Sequence, residues 1–206
     1  MIPREQYIQR IRPFIGNELI KILTGMRRSG KSVMLDLIKD ELRGQGISDD
    51  NFISFNFESL ANTKFCNARA LYEELSRRIA SISGKSYLFF DEIQEVTDWE
   101  RCINSARVDF NCDIYITGSN AHLLSTELAT YLGGRYTEFV IYPFSFQEYL
   151  IGRKQAATRI DPAKEFHSYL ELGGMPFLIN LHEEREASLQ YLRDVYSSVI
   201  LKDIIK

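Results

Sequence analysis

The stretch that decides the fold is the eight-residue run Gly25-Met26-Arg27-Arg28-Ser29-Gly30-Lys31-Ser32. It fits the pattern G-x-x-x-x-G-K-[ST], in which a glycine-rich turn joins a strand to a helix. The flanking sequence provides this context, because an apolar run over 19–24 precedes the turn and apolar residues at helical spacing follow it from Val33 to Leu42. The sequence therefore predicts a phosphate-binding loop.

Each position in this loop has a chemical reason. Gly25 and Gly30 allow backbone geometry and close approach of a ligand that a side chain would block. The backbone N–H groups and the start of the following helix favour an anion. Lys31 adds a positive charge for the outer phosphates, and Ser32 offers a hydroxyl to Mg²⁺. We predict phosphate contacts from Gly25, Arg28, Ser29, Gly30, Lys31, Ser32 and Val33. The side chains of Arg27 and Arg28 add charge there or bind a partner, or else they face solvent or pair with acids.

An acidic pair follows the short apolar run 87–90. In a parallel sheet, a strand over that run places Asp91 at the same edge as the phosphate loop. We predict that Asp91, with Ser32, holds Mg²⁺. Glu92 is then placed to activate an attacking water as general base.

Two further polar groups follow later strands. Asn120 or Ser119, in preference to Thr117 at the end of a predicted strand over 113–117, is suited to sensing the outer phosphate or the attacking water. Arg135 follows two glycines and is suited to contacting that phosphate, in its own chain or a neighbouring one. Ordinary turn chemistry and a surface ion pair are the alternatives for these two sites. The predicted catalytic residues are Lys31, Glu92, Asn120 and Arg135.

Strand patterns alternate with helical patterns along most of the chain. Strands are predicted over 19–24, 52–57, 87–90, 113–117 and 136–142. This alternation favours an α/β fold with a parallel sheet between layers of helices. Beyond Ser145 the strand signals fade, and helical patterns cover 145–151, 162–172 and 184–205. We therefore predict a core domain over 1–145 and a small helical region over 146–206, either lid-like or winged-helix-like.

The composition limits the classes of function. The chain has 206 residues, 45% hydrophobic and 26% charged, with a formal net charge of −3. That charge does not favour general binding of polyanions. The three cysteines lack the spacing of a zinc site. The start of the chain lacks the apolar segment of a signal peptide, and no apolar run has the length of a membrane span. We expect a cytoplasmic protein with no membrane partner.

Several strings occur in an order that resembles a known family. They are GMRRSGKSVML, FFDEIQEVTDWE, ITGSNAHLLSTELATYLGGRY, YPFSFQEYL and YLELGGMPFL. This series resembles the bacterial and archaeal AAA-type ATP-binding proteins of the STAND lineage. The resemblance implies a three-layer P-loop NTPase core of the AAA+-like, ASCE type. It also implies that the strand ending at Thr117 lies between the phosphate-loop strand and the Asp91 strand.

The same resemblance has implications for the site and for the rest of the protein. It implies nucleotide contacts by Gly30, Lys31 and Ser32, and metal binding and water activation by Asp91 and Glu92. It extends a sensing or arginine role to Asn120 and Arg135. Members of the family usually continue for about as long again, with a C-terminal domain of unknown function. We therefore expect this chain to be truncated relative to the family, and a protein or DNA partner to act through the missing domain.

These observations favour hydrolysis of ATP with Mg²⁺ to ADP and phosphate, by a nucleotide-driven switch or motor that can form homo-oligomers. Two alternatives stay open: a nucleotide-gated protein- or DNA-binding module with little turnover, and a P-loop kinase of small molecules. A signalling GTPase is disfavoured, because the Asn-Lys-x-Asp segment of guanine readers does not occur.

Overall fold

A computed structural model describes residues 1–118, 132–156, 159–181 and 184–199. By their internal contacts the residues form two compact units. One, here called the sheet unit, comprises Glu5–Thr24 and Lys31–Val140. The other, the helical unit, comprises Met1–Arg4, Gly25–Gly30 and Ile141–Lys206. The division between 1–145 and 146–206 stays a prediction.

The sheet unit contains five parallel strands. They are β1 (Ile20–Thr24), β2 (Phe52–Asn56), β3 (Ser86–Asp91), β4 (Cys112–Thr117) and β5 (Tyr136–Val140). Their spatial order is β2-β3-β4-β1-β5. The fifth strand ends two residues earlier than predicted. The strand ending at Thr117 does lie between β1 and β3, so the implied strand order is confirmed.

Helices in the same unit follow the predicted patterns. They are α1 (Glu5–Ile11), α2 (Lys31–Gly44), α3 (Ala68–Ile79) and α4 (Trp99–Asp109). Short 3₁₀ turns occur at Arg12–Phe14, Asp49–Asn51, Leu60–Phe65 and Ile93–Glu95. Every residue of β1 and β3 is buried, as continuous apolar strands between two helical layers should be. Trp99 is buried in the core, where it anchors the start of α4.

The register of the strands brings three polar residues to one edge. Asn56 pairs with Asp91 at the ends of β2 and β3. Phe90 pairs with Ile116, so Asp91 and Thr117 end neighbouring strands side by side. Because all the strands run in parallel, this carboxyl edge is also where β1 ends and leads into the residues from Gly25.

The helical unit contains α5 (Phe146–Ala156), α6 (Pro162–Leu172), a 3₁₀ turn (Pro176–Leu181) and α7 (Arg185–Val199). Two small apolar clusters stabilise it, one around Phe144 and the other around Met175. An ion pair between Arg153 and Glu165 links α5 to α6. Within the described ranges no helix is both long enough and apolar enough to cross a bilayer.

Candidate functional site

The loop between β1 and α2 has a backbone that requires glycine at its first position. Gly25 has a φ of +139°, and a Cβ built there would lie 2.2 Å from the carbonyl oxygen of Ile141. Arg28 and Gly30 also have positive φ, at 64° and 99°. Such reversals allow successive N–H groups to converge on an anion. The backbone therefore has the character that the motif predicts for a phosphate loop.

Arg4 braces this loop through one of its carbonyl groups. Its guanidinium donates to the carbonyl oxygen of Ser29 at 3.2 Å and to that of Tyr142 at 2.8 Å. Both Glu148 oxygens accept from it, at 3.0 and 3.2 Å. The Arg4 side chain is only 1% exposed. One buried cation thus ties the phosphate loop to the first helix of the helical unit. The sequence gives no signal for this arginine, because its partners lie far apart in the chain.

The side chain of Arg28 contacts an aromatic ring. Its guanidinium carbon lies 5.5 Å from the centre of the Tyr191 ring in α7, which is within the range of a cation–π interaction. The sequence predicted contacts of this side chain with phosphates, a partner, solvent or acids, and not with an aromatic ring of the same chain. A phosphate contact by Arg28 stays a prediction for its backbone N–H.

In the sheet unit, Asp91 is held by three polar side chains. Its Oδ1 accepts from the Ser32 hydroxyl at 3.0 Å and from the Thr117 hydroxyl at 2.5 Å. Its Oδ2 accepts from the Asn56 amide at 3.2 Å. The carboxylate is thereby fixed at the carboxyl edge of the sheet, beside the first turn of α2. The structure thus brings Ser32 and Asp91 together.

Glu92 follows in a left-handed backbone conformation, with φ of 53° and ψ of 54°. Such a conformation costs a non-glycine residue about 1–3 kcal/mol and is typical of functional sites. Its N–H donates to the Thr117 hydroxyl at 3.0 Å. Its Oε1 lies 3.8 Å from the Lys31 ammonium, and its Oε2 accepts from the Gln94 amide at 2.5 Å. Lys31 and Glu92 are both buried.

These four side chains, Lys31, Ser32, Asp91 and Glu92, form what we call the acidic-edge cluster. Its oxygen atoms suit a small hard cation, because Mg²⁺ prefers carboxylate and hydroxyl oxygens. The Ser32 Oγ and Asp91 Oδ1 atoms are 3.0 Å apart. Adjacent ligands of an octahedral Mg²⁺ lie about 2.9 Å apart for metal–oxygen distances of about 2.05 Å. The residues present therefore fit the ion.

Arg135 does not join this cluster. Its carbonyl oxygen accepts from the N–H of Ile20 at 3.1 Å, at the start of β1. Since β5 is parallel to β1, Arg135 lies at the amino edge of the sheet, about 13 Å or one five-residue strand from the carboxyl edge. A contact of Arg135 with the outer phosphate of its own chain stays a prediction. Action on a neighbouring chain stays a prediction.

The other predicted residues have different outcomes. Asn120 and Ser119 lie outside the described residues. Val33 is the third residue of α2 and is 41% exposed, which leaves its backbone N–H as the group expected to contact a phosphate. Ser29 is fully buried, and its hydroxyl has no hydrogen-bond partner among the described residues.

The acidic pair has three further polar contacts, from Asn56, Gln94 and Thr117. The sequence did not predict the first two, and it ranked Thr117 below Asn120. Asn56 and Thr117 end the strands on either side of β3, and Gln94 follows Glu92 by two residues. A polar residue at the end of each neighbouring strand is the available signal, but the pairing of strands has to be known before it can be used.

A parallel sheet in this order, a glycine loop after β1 and an acidic pair at the end of β3 together define a P-loop NTPase fold of the AAA+-like type. Residues 17–150 match the AAA domain family, and the chain belongs to that family. An uncharacterized protein of Haemophilus influenzae is 40% identical over 99% of this chain. The uncharacterized protein MJ1544 of Methanocaldococcus jannaschii is 32% identical over 91% of it. The chain spans 50% and 42% of the lengths of these relatives.

Solved structures share the fold at low sequence identity. The Walker-type ATPase PABY2304 of Pyrococcus abyssi superposes with a TM-score of 0.64 at 16% identity, covering 98% of this chain and 74% of that one. The RuvB Holliday junction branch migration motor of Thermotoga maritima gives 0.56 at 16%, covering 97% and 69%. The replication initiator DnaA, bound to AMPPCP and single-stranded DNA, gives 0.56 at 14%, covering 94% and 67%.

Proposed function

We propose that this chain binds ATP with Mg²⁺ and hydrolyses it to ADP and phosphate. The observation that carries the proposal is the acidic-edge cluster, in which a lysine, a hydroxyl and two carboxylates meet at the carboxyl edge of the sheet. In open α/β sheets this edge is where ligands bind. The glycine-rich run directly before Lys31 supplies the N–H groups that a polyphosphate needs.

Lys31 and the loop from Gly25 to Gly30 are proposed to hold the phosphates. The Lys31 ammonium lies 3.8 Å from a Glu92 oxygen. A bound polyphosphate carries more negative charge than one carboxylate, so the ammonium would exchange this partner for phosphate oxygens. That exchange would leave the Glu92 oxygen free to accept a proton.

Ser32 and Asp91 would hold Mg²⁺, which would neutralise charge on the outer phosphates when bound. Thr117 and Asn56 keep the Asp91 carboxylate in place through its two oxygens. Thr117 has a second task, because its hydroxyl also accepts the N–H of Glu92. One threonine therefore sets the relative position of the proposed metal ligand and the proposed base.

Glu92 is proposed as the general base. It would take a proton from the water that attacks the terminal phosphorus, while the bond from that phosphorus to the bridging oxygen breaks and ADP leaves. The left-handed backbone at Glu92 turns the chain sharply after β3, so that the carboxylate faces Lys31. General bases of this kind typically contribute 10²–10⁴-fold to the rate.

ATP is the proposed nucleotide because two proteins of the same fold are a Walker-type ATPase and an initiator bound to the ATP analogue AMPPCP. Single-stranded DNA is also bound by that initiator, and RuvB is a branch migration motor. A role of this chain as a switch or motor, with a DNA or protein partner and other copies of itself, is proposed on the same basis. In such an assembly Arg135 would serve a neighbouring chain.

Phosphate release from Mg·ATP by the full chain tests the proposal. Glu92→Gln should bind ATP and release phosphate at least 100-fold more slowly. Glu95→Gln removes an exposed acid three residues away and is the matched control, with turnover expected within twofold of the parent. Equal turnover in Glu92→Gln would contradict the base assignment. Phosphate transfer to an added small molecule, without release, would support a kinase instead.

A further inference from the structure

Gln94 connects the acidic pair to the turn that follows β3. Its Nε2 donates to Oε2 of Glu92 at 2.5 Å. A carboxylate only accepts hydrogen bonds, so the atom facing it has to be the amide nitrogen. Each Glu92 oxygen therefore has a different partner: Oε1 faces the Lys31 ammonium, and Oε2 accepts from the Gln94 amide.

The other end of the Gln94 amide is an acceptor without a donor. Its Oε1 is buried and has no hydrogen-bond partner among the described residues. Leaving such an atom unsatisfied costs about 1–3 kcal/mol. The same amide holds Glu92 through its nitrogen, so the cost falls on a side chain whose position is set by its bond to the proposed base.

The backbone gives Gln94 this position and keeps it rigid. Glu92 has a left-handed conformation, and the 3₁₀ turn Ile93–Glu95 follows at once. The N–H of Glu95 donates to the carbonyl oxygen of Glu92 at 3.2 Å, and that of Val96 to Ile93 at 2.9 Å. Ile93 is fully buried in the core of the sheet unit. This short turn returns the side chain of Gln94 to the carboxylate two residues earlier.

From this geometry we propose that Gln94 is a positioning residue for hydrolysis, and the proposal rests on the proposed function of the site. Its amide holds one oxygen of Glu92, which aims the other at the attacking water. Gln94 contacts neither Lys31 nor Ser32 in any described hydrogen bond, so it should contribute to turnover and little to nucleotide affinity.

The test is Gln94→Met, which keeps the length of the side chain and removes the amide. We expect kcat to fall at least tenfold, because a misplaced catalytic group of this kind can cost up to about 100-fold. KM and the affinity for Mg·ATP should stay within twofold. Gln94→Glu, of equal size but with an acceptor in place of the donor, should fall further, since it repels Glu92. Gln45→Met is the matched control, because Gln45 makes the same bond to Glu41 on the exposed surface, at 3.0 Å.

A double variant separates positioning from a structural role. If Gln94 acts through Glu92, then Gln94→Met combined with Glu92→Gln should be no slower than Glu92→Gln alone. Independent, multiplying losses, unchanged kcat in Gln94→Met, or a rise in kcat would each overturn the positioning role. If the parent chain hydrolyses ATP and Glu92→Gln does not, those results reject only the role of Gln94. If the parent shows no hydrolysis, the proposed function itself fails and this inference fails with it.

Discussion

The ion pair between Arg4 and Glu148 gives the sharpest prediction about stability. Arg4 is held by a fork of two bonds to the carboxylate and by carbonyl groups, one of them in the phosphate loop. Replacing Arg4 with Met leaves the carboxylate buried with fewer donors. Removal of one partner of a buried pair typically costs 3–5 kcal/mol. Because Ser145 still donates to Glu148, at 2.8 Å from its N–H, we expect the lower end, about 3 kcal/mol.

The partner variant and the double variant complete the cycle. Glu148→Met should also cost about 3 kcal/mol, since it leaves the buried guanidinium with carbonyl partners but no carboxylate, and a further ~1 kcal/mol for the lost cap of α5. The double variant contains no stranded charge, and nonpolar replacements of a buried pair are often neutral. We therefore expect a coupling free energy of at least about 2 kcal/mol between the two substitutions. The double variant should then be more stable by that amount than the sum of the two single losses predicts.

Urea unfolding measures this cycle when it is followed by far-ultraviolet circular dichroism, because that signal comes from the helices of both units. Arg12 and Glu41 provide the control, because they form the same fork at 2.8 and 3.1 Å with Arg12 nearly half exposed. Arg12→Met should cost less than about 1 kcal/mol. Additive losses in the Arg4–Glu148 cycle would refute the reasoning. The folded double variant should also bind Mg·ATP about two- to tenfold more weakly, because Ser29 loses its donor.

Three further predictions concern the loop, the acidic edge and a buried thiol. Gly25→Ala should lower the free energy of unfolding by about 2–5 kcal/mol, because the residue has a positive φ and its new Cβ would lie 2.2 Å from a backbone oxygen. Gly46→Ala is the control: its φ is +89° but the space around it is open, so it should lose only about 1–2 kcal/mol. Thermal unfolding measures both. Thr117→Val leaves the N–H of Glu92 without its acceptor and removes one of the three donors to Asp91, so phosphate release should fall at least tenfold. A variant with parent turnover would show that the threonine does not position these two residues. Burial raises the pKa of the Cys102 thiol from 9.0 to about 12. The unfolded chain therefore loses this proton first, and stability falls as pH rises from 9 toward 12, by about 1.4 kcal/mol per unit. Cys102→Ala should flatten this alkaline decline in denaturant titrations, and an unchanged slope would refute the assignment.

Local patterns predicted much of the fold. The apolar runs before Gly25 and before Asp91 became fully buried strands, and the change to helical spacing at Val33 marked a real helix. Such patterns are defined by the period and length of an apolar segment, and they predict which neighbouring residues are buried together. The prediction that Asp91 and Ser32 meet also succeeded, because carboxyl ends of parallel strands share one edge.

Contacts between distant segments could not be predicted in this way. Arg4 and Glu148 are 144 residues apart, and no periodicity connects them. Thr117 reaches Asp91 only because β4 lies between β1 and β3, which spacing does not show. The same strand order, with β5 beside β1, sends Arg135 to the amino edge of the sheet. Topology, not residue type, decides these positions.

The most direct test of the central claim is a calorimetric titration of the Glu92→Gln chain with ATP and Mg²⁺, in which the nucleotide binds without being consumed. We predict saturable binding of one nucleotide per chain, lost or weakened at least 100-fold when Lys31→Ala is added, since Lys31 is the cation proposed to meet the phosphates. No binding of any magnesium nucleotide, or equal affinity with and without Lys31, would contradict the account.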